Sequence, residues 1–109
     1  MRTLKFIVTG QELKPDTSCD FDGLVPGTEG YIRAEFLFSK DWDGYVKVAA
    51  FYNALGIEYK PELLTDGMTC VIPAEALKRR AFKVKIVGKK GESKLTTNKV
   101  EIIQNGGRA

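Results

Sequence analysis

The sequence contains no histidine and only two cysteines. A serine or cysteine nucleophile commonly relies on a histidine base, so the absence of histidine excludes the Ser-His and Cys-His arrangements of the commonest hydrolases. Cys19 and Cys70 lie far apart in the chain without a CxxC spacing, which argues against a structural zinc site. The pair is either a disulfide bond or two reduced thiols, and a cytoplasmic protein favours the thiols. We therefore expect a protein that is not an enzyme, with no catalytic residue, metal or cofactor.

Long apolar runs are also absent, since no segment approaches the roughly 18 apolar residues of a membrane-spanning helix. The N-terminal segment MRTLKFIVTGQEL is interrupted by Lys5 and has no small-residue cleavage site, so it does not resemble a signal peptide. We expect no membrane partner and a cytoplasmic site of synthesis. A chain of 109 residues predicts one domain, residues 1–104, followed by a flexible tail, residues 105–109.

Helix signals are nearly absent, and short apolar runs alternate with Gly, Pro and Asp clusters. Turn signals at intervals of roughly 8 to 12 residues are typical of an all-β sandwich or barrel. Pro61 places the strand that contains it at a sheet edge, because proline cannot donate to a central ladder. The sequence predicts about seven antiparallel strands. They span residues 3–14 with a bend at Gly10, 31–39, 45–53, 57–64, 69–72, 82–88 and 95–104.

Three connecting segments carry further predictions. Residues 15–30 are rich in Pro, Gly, Asp and Ser, which predicts a long exposed loop with Phe21 and Leu24 tucked beneath it. Residues 41–44 read Asp-Trp-Asp-Gly and predict a turn. Residues 73–77 begin with proline followed by good helix formers, which predicts one short helical turn.

The charges are unevenly distributed along the chain. Residues 1–77 contain seven Lys or Arg and twelve Asp or Glu, whereas residues 78–109 contain ten and two. Such a split is compatible with an ordinary solvated surface, with nucleic-acid binding by the basic part, or with contact between an acidic surface on one copy and a basic surface on the next. We therefore consider a homo-oligomer among the partners.

Two groups of aspartates are weak candidates for catalytic or metal-binding sites. Asp41 and Asp43 are a pair of carboxylates, but acids two residues apart in a glycine-ended turn are more simply turn formers. Asp16, Asp20 and Asp22 could supply oxygen ligands to calcium, although the spacing lacks the bidentate glutamate of an EF-hand loop. No metal site is predicted from either group.

Basic and aromatic residues are candidates for ligand binding. A basic patch could contact phosphates, yet aromatic residues are not interleaved with its lysines, which argues against nucleic acid. Four aromatic residues could form a glycan platform, although a lone Trp in a turn between apolar strands more often plugs the end of a core. The basic candidates are Lys78, Arg79, Arg80, Lys83, Lys85, Lys89, Lys90 and Lys94, and the aromatic candidates are Trp42, Tyr45, Tyr52 and Tyr59.

Ordered motifs along nearly the whole chain carry a family resemblance. They are Val8 to Leu13 (VTGQEL), Phe36 to Ser39 (FLFS), Trp42 to Gly44 (WDG), Lys47 with Ala50-Phe51, Cys70 to Leu77 (CVIPAEAL), Phe82 to Gly88 (FKVKIVG) and Thr97 to Val100 (TNKV). The chain resembles the N-terminal domain of phage baseplate upper proteins and related tail and virion proteins from phages of Gram-positive bacteria. Members of that family usually continue into spacer, coiled-coil or fibre regions, which are not present in these 109 residues.

The resemblance implies an immunoglobulin-like β-sandwich that serves as a non-catalytic assembly or attachment module. The implied location is a virion assembled in the host cytoplasm, in a baseplate, tail, or head-fibre or decoration component, and the implied partners are other virion proteins. The alternatives are a phage-encoded inhibitor of a host factor and a carbohydrate-binding module. The residues we predict to bind a partner are Trp42, Asp43, Gly44, Tyr45, Lys83, Lys85, Lys89 and Lys90.

Overall fold

The computed structural model of the chain describes residues 1–106, which form nine strands and one short 3-10 helix. No helix in this part of the chain is long and apolar enough to span a membrane. The strands are β1 (Arg2–Thr9), β2 (Glu12–Pro15), β3 (Ile32–Phe38), β4 (Val46–Asn53), β5 (Glu62–Leu63), β6 (Thr69–Val71), β7 (Ala81–Lys90), β8 (Ser93–Thr96) and β9 (Val100–Ile103), and the 3-10 helix is Lys40–Trp42.

The strands are arranged in two sheets, as expected of a β-sandwich. The first sheet has the order β2-β1-β3-β6, and the second has the order β5-β4-β7-β8 with β9 also paired to β7. Strand β4 lies between β5 and β7 and is therefore a central strand of the second sheet. The short β5 is at the edge, where Pro61 placed it.

One strand pair departs from the predicted antiparallel arrangement. β1 and β3 run parallel, with Leu4 opposite Ala34 and Phe6 opposite Phe36. Strand β2 and the segment that follows it return the chain to the end at which β1 begins, and a connection of a dozen or more residues is what parallel neighbours require. The prediction of a purely antiparallel sandwich was therefore wrong for this pair.

The core lies between the two sheets and is made by alternating residues of the long strands. Phe6 stacks on Phe36 with ring centroids 5.0 Å apart, and Phe51 of the second sheet packs against Phe82 at 6.2 Å. Leu24 is 1% exposed beneath the loop that contains it, which confirms that part of the loop prediction. Each side chain of this size contributes about 1.5–3 kcal/mol when it is fully buried. Fully buried large residues include Leu4, Phe6, Leu13, Leu24, Phe36, Trp42, Phe51, Ile72, Leu77, Phe82 and Ile86.

The predicted last strand, 95–104, is divided into β8 and β9 by a bulge. Thr96 pairs with Val87 and Val100 pairs with Val84, so three residues of one strand oppose two of the other. A bulge of this kind bends the strand and re-aims a side chain. Here it frees the side chain of Asn98 to reach the first sheet, where it bonds to Leu13.

The helical turn is not where the sequence predicted it. Residues 73–77 form a turn with two successive hydrogen bonds, from Ala76 N–H to the Pro73 carbonyl and from Leu77 N–H to the Ala74 carbonyl, but they do not continue into a regular helix. The Leu77 carbonyl then accepts from the Gly27 N–H and from Gln104 Nε2, so it is bound by other segments and not by a further helical turn. A 3-10 helix instead forms at Lys40–Trp42 and overlaps the predicted turn at Asp41 and Trp42.

The beginning of the predicted flexible tail is hydrogen bonded. Asn105 Oδ1 accepts from the Gly23 N–H at 2.9 Å, and the Gly106 N–H donates to the Leu24 carbonyl at 2.8 Å. These two residues are therefore attached to the 15–30 loop, whereas residues 107–109 of the predicted tail lie outside the described residues.

Candidate binding surface

Trp42 is part of the core and offers no ring face to a ligand. The side chain is 0% exposed, its Nε1–H donates to the Gly10 carbonyl at 2.8 Å, and its ring packs against Phe38 and Tyr45 with centroids 5.2 and 6.0 Å away. The sequence-based hypothesis that Trp42 binds a partner directly must therefore be corrected. The alternative, that this Trp plugs the end of the core, agrees with the structure.

The turn around Trp42 meets the end of β7. Lys90 Nζ lies 3.4 Å from the Asp43 carbonyl oxygen, to which it donates, and 5.6 Å from the centroid of the Tyr45 ring. Gly44 has φ +81°, a conformation that glycine adopts readily. The structure therefore brings together four of the predicted binding residues, Asp43, Gly44, Tyr45 and Lys90, at one end of the sandwich.

The remaining predicted lysines lie on a different surface, the outer face of the second sheet. Alternation along β7 points Phe82, Val84 and Ile86 into the core, and the intervening side chains point away from it. Lys94 pairs directly with Lys89 across the strands, and the ammonium group of Lys99 lies over the Tyr52 ring of the same face. We call the resulting set the lysine face: Lys83, Lys85, Lys89, Lys94 and Lys99.

Lys99 is a member of this face that the sequence did not identify. The residue follows the bulge, where the alternation of β8 is interrupted, so its side is not given by counting from Lys94. Conversely, Lys78, Arg79 and Arg80 belonged to the predicted basic patch but lie in the bend that precedes β7. The basic cluster in the sequence is thus divided by the fold.

The aromatic residues do not form an open platform on this face. Tyr52 is 5% exposed, and the ammonium groups of Lys99 and Lys85 lie 4.1 and 5.8 Å from its ring centroid. A lysine above an aromatic ring is attracted by the electrons of that ring and occupies the position that a stacked base or sugar would take. Tyr59 packs against the buried core instead.

A shallow groove of about 280 Å³ runs beside the lysines. Its floor is apolar, whereas its walls are charged or come from the segment before β5. A groove with an apolar floor and charged walls suits a polypeptide segment that carries both apolar and charged side chains. The residues that line it are Val48, Ala50, Tyr52, Glu58, Pro61, Lys85, Val87 and Lys94.

The cysteines are not arranged for catalysis. Both are free thiols, and Cys19 Sγ lies 3.7 Å from the Thr3 carbonyl oxygen. Burial raises the pKa of the Cys70 thiol to about 12, with a smaller contribution from the negative charge of Glu62. A thiol with such a pKa is almost entirely protonated near neutral pH and is a poor nucleophile.

The aspartates considered as calcium ligands form local turns. Asp16 Oδ1 accepts from the Ser18 N–H and hydroxyl at 2.9 and 2.8 Å, and these bonds lower the pKa of the Asp16 carboxyl. Asp20 Oδ1 accepts from the Asp22 N–H at 2.8 Å. Within residues 1–106, no group of three or more Cys, Asp or Glu side chains is arranged to hold a metal ion.

No protein-family model matches the chain, and no curated protein matches it significantly.

Proposed function

We propose that this chain is a non-catalytic structural protein of a bacteriophage virion, assembled in the host cytoplasm, whose sandwich docks onto neighbouring virion proteins. The observation that carries the proposal is the lysine face, together with the apolar groove beside it. Both lie on a sheet whose other side is packed into the core, so the side chains are presented from a rigid support. A fixed, charged surface next to an apolar groove has the composition of a protein–protein contact.

The motifs that carry the resemblance to phage baseplate upper proteins support the same proposal, because they occupy positions on which the fold depends. Phe36, Phe38 and Trp42 form a continuous row of ring contacts. Gly88, at the end of another motif, lies against the Trp42 ring. Thr97 accepts a hydrogen bond from the buried Ile86 N–H through its hydroxyl. Motifs far apart in sequence therefore contact one another, as expected when they encode one shared fold.

We further propose that the sandwich is a variant of the immunoglobulin arrangement. Strands β3, β4, β6 and β7 alternate between the two sheets in chain order, as strands B, C, E and F do in an immunoglobulin domain. β5 then takes the place of C′, and β8 with β9 takes the place of G. β1 lies beside β3, as strand A lies beside B, but it runs parallel to it, and β2 is an addition outside β1.

The proposal is tested by asking whether the protein is a component of particles. Phage particles made from a genome that encodes the chain are purified on a density gradient, and their proteins are quantified by mass spectrometry. We expect the chain in a fixed ratio to the major virion proteins. The double variant Lys85→Glu/Lys94→Glu should be incorporated at least tenfold less, because it reverses two charges on the lysine face.

The matched control is Lys14→Glu/Lys40→Glu, which makes the same change in net charge at two exposed positions outside the lysine face. This control should be incorporated like the wild type. Absence of the wild-type chain from the particles, combined with a stable complex with a host protein, would replace the proposal with the inhibitor alternative. Equal incorporation of both double variants would remove the lysine face from the assembly contact.

A further inference from the structure

The lysine face contains a repulsive contact that the fold does not need. Lys89 of β7 and Lys94 of β8 are direct cross-strand partners, so two positive charges face each other on one surface. Like charges in directly opposed positions destabilise a sheet. Glu101 is opposite Lys83 near the other end of β7, and Glu58 pairs with Tyr52 and lines the groove with Lys85 and Lys94. Neither glutamate is the direct cross-strand partner of Lys89 or Lys94. The Lys89–Lys94 end of the face therefore carries positive charge that an external anionic group would relieve.

The same chain also carries an acidic segment, which the Arg2 guanidinium contacts at the backbone carbonyls of Asp20 and Asp22. Residues 16–30 contain four acidic residues and no Lys or Arg, and we call this segment the acidic loop. Asp20, Asp22 and Glu29 are exposed. The loop has a defined shape, because the turns at Asp16 and Asp20 are closed by side-chain hydrogen bonds.

The acidic loop also carries an apolar residue that suits the groove. Val25 is 44% exposed in the loop, and the groove beside the lysines is floored by Val48 and Val87. An anionic loop with an exposed apolar residue thus corresponds in both charge and polarity to a cationic face with an apolar groove.

We propose that the lysine face docks the acidic loop of a second copy of this chain. The inference rests on the proposed role in virion assembly and names the partner of the lysine face. The contact is heterologous, since the face of one copy meets the loop of the next, and such contacts generate closed rings or open filaments. Its interactions are between Lys89 or Lys94 and Asp22 or Glu29, with Val25 against the groove floor.

Carboxylates are favoured over nucleic-acid phosphates by the surroundings of the lysines. Single-stranded nucleic acid binds where exposed aromatic rings alternate with basic side chains. Tyr52, the aromatic residue that lines the groove with Lys94, is 5% exposed and its ring is covered by Lys99. A surface of lysines without an open ring lacks the stacking part of such a site.

The test uses charge reversal on each half of the contact. Lys89→Glu/Lys94→Glu reverses the face, and Asp22→Lys/Glu29→Lys reverses the loop while leaving the turn-forming Asp16 and Asp20 intact. Self-association is measured by sedimentation velocity over a range of protein concentrations at low salt and at about 0.5 M salt. Circular dichroism and thermal unfolding establish that each variant is folded.

We expect the wild-type chain to self-associate at low salt and to dissociate at high salt. Each double variant alone should associate at least tenfold more weakly, because like charges then meet at the contact. An equimolar mixture of the two variants should associate again, since the reversed loop fits the reversed face and the native loop fits the native face. Lys14→Glu/Lys40→Glu should behave like the wild type.

Several results would overturn the inference. A wild-type chain that is monomeric at about 1 mM and low salt has no such contact. Failure of the mixture to associate, with both variants folded, would remove the pairing of face and loop. Tight binding of a single-stranded oligonucleotide by a monomer, lost in Lys89→Glu/Lys94→Glu, would assign the face to nucleic acid.

The particle experiment separates this inference from the proposed function. A monomeric chain that is nevertheless incorporated into particles keeps the virion role and eliminates the second copy as the partner. A chain that self-associates through the face but is absent from particles keeps the contact and eliminates the virion role.

Discussion

The side-chain amide of Asn98 is hydrogen bonded to both backbone groups of Leu13: its Oδ1 accepts from the Leu13 N–H at 2.7 Å, and its Nδ2 donates to the Leu13 carbonyl at 3.1 Å. Leu13 belongs to β2, the edge strand of the first sheet, whereas Asn98 lies in the bulge of the second sheet. The amide therefore provides the donor and acceptor of a neighbouring peptide group and links the two sheets at one side of the sandwich.

Replacement of this amide should destabilise the fold. Asn98→Ala leaves the Leu13 N–H and carbonyl without their partners, so we expect the free energy of unfolding to fall by about 1–3 kcal/mol. Urea-induced unfolding measures this loss. Gln11→Ala is the control, because the Gln11 side chain makes one exposed hydrogen bond of 3.3 Å, and its loss should change stability by less than about 0.5 kcal/mol. A similar small change in Asn98→Ala would contradict the bridging role.

Gly88 should not tolerate a side chain. A Cβ at this position would lie 2.7 Å from Trp42 Cζ3 and 3.2 Å from Tyr45 Cβ, so Gly88→Ala overpacks the end of the core. We expect a loss of about 1–3 kcal/mol in the free energy of unfolding. In a double-mutant cycle, Gly88→Ala combined with Trp42→Phe should be more stable than the sum of the two single effects predicts. If the two effects on the free energy of unfolding were strictly additive, contact with the Trp42 ring would not be the reason that position 88 requires glycine.

The single tryptophan is a direct reporter of this packing. Because Trp42 is 0% exposed, we expect short-wavelength fluorescence emission in the folded protein and weak quenching by acrylamide. Both should change to the values of exposed tryptophan in denaturant. A panel of soluble glycans should leave the folded spectrum unchanged, because the ring has no open face. A saturable spectral shift with one glycan would instead favour the carbohydrate-binding alternative.

Cys70 should react much more slowly than Cys19. With a pKa raised to about 12 by burial, the Cys70 thiol at pH 8 is ionised in about one molecule in ten thousand. We therefore expect an aromatic disulfide reagent to modify one thiol of the native protein and two thiols of the unfolded protein. The Cys19→Ala variant should show almost no reaction when folded. Rapid modification of that variant would mean that Cys70 is accessible.

The Cys70 thiol also makes the free energy of unfolding depend on pH in the alkaline range. The pKa of Cys70 rises on folding from 9.0 to about 12, so above pH 9 the folded state retains a proton that the unfolded state releases. The contribution of the protonated Cys70 thiol to the free energy of unfolding is fully present below pH 9. It declines between pH 9 and about 12, by up to about 1.4 kcal/mol for each pH unit. Cys70→Ala should have a shallower decline than the wild type, measured by denaturant unfolding.

The predictions from sequence succeeded where the information is local. Alternation from Ile32 to Phe38 indicates a strand with one buried face, and that face is buried. Pro61 indicates an edge, because proline lacks the donor that a central ladder needs, and β5 is an edge strand. The turn at residues 41–44 was correctly located, although its first part is wound into a 3-10 helix.

The composition of the lysine face could not be predicted from local sequence alone. The sequence grouped Lys83, Lys85, Lys89 and Lys90 because they are close in the chain, yet Lys90 points to the Tyr45 end of the sandwich. Lys99 completes the lysine face only because a bulge shifts the alternation by one residue. A bulge is set by the pairing of two strands, so the hydrophobic pattern of one strand does not reveal it.

The sequence by itself determined that this chain is nearly all β, which residues alternate into its core, and that histidine-based chemistry is absent, because each of these follows from residue type and spacing. Only the tertiary structure decided that β1 and β3 run parallel, that Trp42 covers Gly88, and that five lysines share one face. These relationships join residues that are distant in the chain. They depend on how two sheets pack and pair, which no local pattern of side chains specifies.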